Sequence, residues 1–251
     1  LPLPLGISFF TFSVLSYVFD VYRGRAEVQK NFLDFTLYVT FFPKVTSGPI
    51  VQYQDMAAQL RDRSMAPAKF GAGISLFLVG LGKKVLIADN LGATFSAISG
   101  LSAMSAGTAW LGMILYSLQL YFDFSGYSDM AIGLAKCFGF DFAKNFDYPY
   151  LSTSISEFWR RWHISLGAWF RDYVYIPLGG NRCSKHRQLI NLAVVWLLTG
   201  LWHGSAWNFV LWGVYHGIFV ILEKFVLKDF LLKIPKALRI FITVLLVFFG
   251  W

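Results

Sequence analysis

His203 and His216 lie within Leu197–Gly217, LLTGLWHGSAWNFVLWGVYHG, a stretch otherwise nearly all apolar, aromatic or small. An imidazole at bilayer depth is costly unless it faces a protected interior or a water-filled cavity. It is also the side chain best suited to moving a proton near neutral pH. The spacing argues against a shared metal: on one continuous helix, rings thirteen residues apart point about 220° away from each other, unlike His at i and i+4. Gly204 and Ser205 can end the helix directly after His203 and free that ring to line a cavity. His216 reads as a hydrogen-bonded packing residue in support.

A third histidine, His163, sits in Ser154–Tyr175, SISEFWRRWHISLGAWFRDYVY. Ser154 and Glu157 form a capping-box start. Trp159, Trp162, Leu166 and Trp169 or Phe170 recur at steps of three and four, which predicts one helix with an aromatic stripe. Arg160, Arg161, Arg171 and Asp172 lie off the stripe, so the helix is expected to rest at the membrane interface. Two readings stay open: an interfacial anchor whose histidine is polar trim, or the wall of an active site whose arginines approach a phosphate-bearing donor. The following segment, YIPLGGNRCSKHR, turns at Pro177 and Gly179-Gly180. Its Asn181, Arg182, Lys185 and Arg187 suit either a solvated loop or an anion contact. Trp202, beside His203, belongs with the candidate substrate-binding residues Arg160, Arg161, Trp162, Asn181 and Arg182. Asp123 and Asp129 interrupt apolar stretches. They need partners or protonation, with nearby arginines and tyrosines as the candidates, and they read as supporting residues.

The bulk composition sets the environment. Of 251 residues, 56% are hydrophobic and 14% charged, against roughly 25% charged in a typical soluble domain; mean hydropathy is +0.54. Twenty-six Phe, twelve Tyr and nine Trp suit a lipid-facing surface with interfacial aromatic belts. The net charge of +8 sits mostly in short loops, as in cytoplasmic loops of membrane proteins. No basic run carries a nucleic-acid motif, so no nucleic acid partner is expected. Cys137 and Cys183 show neither a CxxC nor metal-ligand spacing, so no disulfide framework and no metal are expected. GxSxG, GxGxxG, Walker and HExxH patterns are missing, which weakens hydrolase, dinucleotide and ATPase readings.

These residues must be positioned by helices. Leu5–Val21 approaches the roughly 20 residues a span needs. Phe32–Ile50 breaks at Pro43, Gly48 and Pro49, which predicts a broken or re-entrant segment. Val51–Lys69 reads as a loop or surface helix. Phe70–Leu86 carries glycines at 71, 73, 80 and 82, suited to close helix approach, and ends at Lys83-Lys84, which can snorkel to headgroups. Ala109–Phe124, Met130–Phe140, Leu189–Trp202, Ala206–Leu222 and Ile240–Trp251 complete six to eight embedded segments. The expectation is an all-α, polytopic helical membrane protein with broken or re-entrant segments and an interfacial amphipathic helix. It is one domain over 1–251, and an internal piece of a longer chain.

Five stretches together resemble the membrane-bound O-acyltransferase (MBOAT) family, and more narrowly its bacterial alginate O-acetylation branch: PLGISFFTF at 4–12, FFPKVTSGPI at 41–50, YFDFSGYSDMAIG at 121–133, SISEFWRRWHISLGAWFRDYVYIPLGGNR at 154–182 and LTGLWHGSAWNFVLWGVYHG at 198–217. The resemblance implies that the WHG histidine, His203, is essential and that His163 is the second family position. It implies acetyl-CoA or another acyl thioester as donor substrate, with no bound cofactor. It further implies a multi-pass protein of the cell (inner or plasma) membrane, in contact with membrane lipid. The acceptor would be an extracytoplasmic polysaccharide, reached directly or through an acetyltransferase partner protein. Two rival readings are a transporter or channel for an acyl donor or glycan, and a lipid-directed O-acyltransferase.

Overall fold

The computed structural model describes residues 5–63 and 65–251; Pro4, which opens the first matching stretch, lies outside them. Every regular element among the described residues is helical, as the sequence predicts. The chain divides into two compact units, Leu1–Asn145 and Phe146–Trp251.

In the first unit, α1 (Ile7–Tyr22) precedes α2 (Phe32–Thr40) and α3 (Phe42–Val45). The expected break falls at Phe41, two residues before Pro43, which occupies the first turn of α3. That is the position where a missing N–H costs nothing. The Tyr38 hydroxyl ties these pieces together. It lies within 2.9 Å of Ser16 Oγ, 2.9 Å of the Ser13 carbonyl and 3.0 Å of the Val51 carbonyl. Lys44 is buried, donates to Ser13 Oγ at 3.0 Å and lies over the Tyr38 ring. The polar stretch after Val51 forms α4 (Tyr53–Arg61), which buries Tyr53, Met56 and Leu60 on one face.

Two long helices dominate this unit. α5 (Pro67–Gly82) continues through a π-helical turn, Lys83–Ala88, into α6 (Asp89–Ser99), and α7 (Ala106–Cys137) runs for 32 residues. A Cβ on Gly73 would lie 2.6 Å from the Gly133 carbonyl oxygen, and one on Gly80 would lie 2.5 Å from that of Gly126. Those two glycines are therefore the ones that close helix approach demands, whereas Gly71 and Gly82 meet nothing within 4 Å.

The lysine pair is a correction. Lys83 Nζ lies 2.6 Å from Asp129, and Lys84 Nζ lies 2.7 Å from both Asp123 and Asp89. Neither lysine ends a span. The helix continues past them, and lysines replace the arginines and tyrosines expected as partners of Asp123 and Asp129. The reason is register: the glycine contacts bring the middle of α7 against the middle of the α5–α6 helix, where charges from each side neutralise one another.

The second unit contains a 3₁₀ turn (Pro149–Leu151), α8 (Ile155–Arg161), α9 (Ile164–Phe170), a π turn (Arg171–Tyr175), α10 (Lys185–His203) and α11 (Trp207–Leu222). A π turn (Glu223–Leu227), α12 (Lys228–Lys233) and α13 (Lys236–Gly250) follow. Two helices among the described residues are long and apolar enough to cross a membrane, Pro67–Ser99 and Trp207–Lys233. Only 11% and 17% of their most apolar stretches are buried, the reverse of a soluble core helix.

Replacing Gly133 by Val drives a side chain into the Gly73 carbonyl. Overpacking of this kind costs about 1–3 kcal/mol, so the thermal midpoint in detergent should fall by several degrees. Gly82→Ala, with open space around it, should leave the midpoint unchanged or raise it, since Ala is favoured over Gly in a helix by about 0.5–1 kcal/mol.

Candidate active site

All three histidines of interest lie in the second unit, and each is placed by a local break or crossing. The start of α8 is built as its sequence predicts: Ser154 Oγ accepts from the Glu157 N–H at 3.0 Å. Glu157 Oε2 in turn accepts from the backbone N–H and hydroxyl of Thr153, and Oε1 from Arg161 at 2.7 Å. Burial alone would raise the Glu157 carboxyl, but the bonds from Thr153 and Arg161 outweigh it and hold the group below the usual carboxylate range. The remaining N–H groups of this end are met from elsewhere. The two carboxylate oxygens of Glu223 accept from the N–H groups of Ile155 and Ser156 at 2.6 and 2.7 Å. Charge-assisted bonds at a helix N-terminus are the strong kind, so Glu223 fixes where α8 begins.

The single striped helix expected over Ser154–Tyr175 is instead two short ones. α8 stops at Arg161, Trp162 is extended, and His163 adopts the left-handed conformation with φ 46°. Apart from Tyr148, it is the only described non-glycine residue there. No Gly or Pro marks the site, so the cause is tertiary. Trp162 is buried against Phe146, Phe158 and Trp251 with ring centroids 5.1, 5.5 and 5.0 Å away. A straight helix cannot seat both that ring and the buried face of α9. Positive φ on a non-glycine residue is a strain that surrounding structure must hold, and such residues cluster at functional sites. His163 is 4% exposed.

The α10–α11 crossing places the other two. α10 ends at His203, and the chain passes extended Gly204, where a Cβ would collide with the Phe209 ring. α11 then folds back along α10. Gly200 would meet the Phe209 carbonyl oxygen at 2.6 Å and Gly213 that of Trp196 at 2.6 Å if either carried a Cβ. This close crossing puts the Trp212 ring 4.7 Å from His203 and 5.1 Å from His216. The 220° separation of a continuous helix therefore does not apply. His216 is on the same side as His203, in a cluster with Trp159, Trp196 and Tyr215. It is fully buried, and both ring nitrogens lack a hydrogen-bond partner among the described residues. That corrects the hydrogen-bonded packing residue expected from sequence.

His163 and His203 do meet a common side chain. Trp202 lies 6.2 Å from His163 and 4.7 Å from His203, ring to ring. His203 is exposed and His163 buried, so one ring is open at the surface while the other is enclosed. The other sequence-chosen residues separate by role. Arg161 is tied to Glu157, and Trp162 is packed in the aromatic cluster. Arg160 and Asn181 line a cavity of about 820 Å³ together with Trp159, Glu223 and Lys224. Arg182 is exposed and outside that cavity. Asp123 and Asp129 belong to the first unit. Sequence reasoning missed Glu223 and Lys224. Their signal was available: two adjacent charges directly after the apolar run Ala206–Leu222.

The family model described as MBOAT, membrane-bound O-acyltransferase family, matches residues 5–251. A probable alginate O-acetylase of Azotobacter vinelandii is 47% identical over 99% of this chain and 50% of its own length. A peptidoglycan O-acetyltransferase of Helicobacter pylori is 38% identical over 99% of this chain and 53% of its own. For a teichoic acid D-alanyltransferase of Bacillus subtilis the values are 30%, 88% and 59%. The chain thus spans about half the length of the curated relatives it matches.

The left-handed backbone at residue 163 sorts substitutions by shape. His163→Asn and His163→Gly should accumulate folded, since both residues enter that region readily. His163→Val should lose folded protein, because a β-branched side chain there is a genuine outlier. Detergent-extracted yield and thermal midpoint give the readout.

Proposed function

The chain belongs to the membrane-bound O-acyltransferase family, and from that premise we propose that it carries the catalytic part of an envelope-glycan O-acetyltransferase. The acetyl group passes from a thioester donor, acetyl-CoA or a carrier-bound equivalent, to a hydroxyl of an exopolysaccharide such as alginate, directly or through an extracytoplasmic acetyltransferase partner protein. The observation that supports this best is the pair His203 and His163 bordering Trp202, one exposed at a helix end and the other held buried.

His203 takes the proton from the acceptor hydroxyl as that oxygen attacks the thioester carbonyl carbon. The carbonyl becomes a tetrahedral oxyanion, which His163 stabilises or orients by a hydrogen bond. Collapse expels the thiolate, and the imidazolium of His203 returns the proton to sulfur. Donor and acceptor are substrates, and the scheme needs no resident cofactor. Trp202 supplies a rigid wall between the two rings.

In this reading the protein is multi-pass in the cell (inner or plasma) membrane, with membrane lipid against the outward apolar faces of Pro67–Ser99 and Trp207–Lys233. The broken pairs α2–α3 and α8–α9 are its re-entrant and interfacial segments, since interrupted backbone at membrane depth is tolerated where protein covers it. The alginate branch is favoured by the identities of 45–47% to five probable alginate O-acetylases.

His203→Ala in the full-length protein, at wild-type abundance, should lower polysaccharide acetylation by about 10²–10⁴-fold, the usual worth of a general base. Acetylation retained at the wild-type rate would overturn the assignment.

A further inference from the structure

His203 becomes an imidazolium each time it takes the acceptor's proton. A new charge in apolar surroundings is costly unless something meets it. A familiar device is a carboxylate bonded to the second ring nitrogen. Among the described residues, no carboxylate forms a hydrogen bond or an ion pair with His203.

Two indoles stand beside the ring instead. The centroids of Trp202 and Trp212 each lie 4.7 Å from that of His203, with interplanar angles of 71° and 70°. Both fall inside the roughly 6 Å over which an aromatic face attracts a cation, and tryptophan is the strongest such partner. Steep angles are those at which the edge of one ring meets the face of another. An imidazolium carries its N–H and C–H hydrogens, and with them its positive charge, along that edge. The backbone adds to the effect. His203 is the last residue of α10, and its chain end is the negative end of a 19-residue helix, which favours a protonated histidine. Trp212 is itself packed in place, its ring 5.4 Å from Trp159, 5.1 Å from His216 and 6.2 Å from Trp251. Groups fixed before a charge develops need no reorganisation when it does.

We propose that Trp202 and Trp212 are positioning residues that act through His203, their ring faces stabilising its imidazolium while it holds the acceptor's proton. This deepens the acyl-transfer reading and rests on His203 as its base. The proton balance is unchanged. The proton leaves the hydroxyl oxygen for an imidazole nitrogen and then passes to the departing sulfur, and neither tryptophan forms or breaks a bond. Because the charge exists only once the substrate has given up its proton, the effect belongs to kcat and not to KM. Trp212 is the cleaner probe, since Trp202 also borders His163.

The test places tryptophan bearing one to four ring fluorines at position 212 of the full-length protein, in membranes of a host lacking only this protein. Fluorine withdraws electron density from the ring face and weakens its hold on a cation with little change in shape. Transfer of labelled acetyl from acetyl-CoA to alginate oligosaccharide is followed, per unit of protein. The maximal rate should fall stepwise along the series, about three- to thirtyfold in all, as expected of a cation–π contact, with KM unchanged. The same series at Trp110, an exposed residue of the first unit, should leave the rate unchanged. In His203→Ala the residual rate should not respond to fluorination at 212, because coupling needs both partners. A maximal rate that stays level along the Trp212 series, or rises with fluorination, overturns the proposal. His203→Ala keeps the two readings apart. Wild-type transfer in that variant overturns the role of His203 and this proposal with it, whereas loss of transfer there together with a level Trp212 series overturns this proposal alone.

Discussion

Where α10 and α11 cross, backbone touches backbone. Gly200 and Gly213 each leave room for a carbonyl oxygen or Cα that any side chain would displace, and Gly217 accepts the edge of the Trp196 ring in the same way. Without a hydrophobic driving force between helices in lipid, association rests on close packing of this kind. The distances in the site follow from that approach. Trp212 reaches His203 only because α11 doubles back within contact of α10, and His216 joins the same cluster one turn further on. Glu223, at the end of the same helix, then reaches the first N–H groups of α8 and sets Trp159 against Trp212 and His216.

The first unit solves a related problem with charge. The α5–α6 helix and α7 carry Lys83, Lys84, Asp123 and Asp129 in their middles, where isolated charges would be expensive in an apolar medium. The glycine contacts Gly73–Gly133 and Gly80–Gly126 fix the register, and that register brings each lysine to a carboxylate. Removing one partner would strand the other, so such pairs act more as a lock on alignment than as a source of net stability.

Much of the fold was legible in composition and pattern. Apolar runs with few charges predicted helices, Pro43 predicted the break before α3, and Gly204 beside His203 predicted the end of α10. The capping box at Ser154 and Glu157 was legible because its bonds span three or four residues. The break at His163 was not. The stretch RRWHISL has the periodicity of a continuous helix, and what interrupts it is the seat of the Trp162 ring among Phe146, Phe158 and Trp251, up to 89 residues away in the chain. The partners of Asp123 and Asp129 were missed for the same reason: helix register is set by where two distant helices fit.

The sequence by itself determined an all-helical chain of membrane composition, its family, and the placing of His163 and His203 in stretches otherwise rich in aromatic and apolar residues. Residue type carries that information, since only imidazole offers a base near neutral pH and only long apolar runs face lipid. Tertiary structure alone decided which histidines share a neighbour, why His216 stands with His203 rather than opposite it, and which side chains line the cavity beside Trp159. Those outcomes depend on contacts between segments tens of residues apart, and periodicity along one helix holds no record of how closely another will approach it.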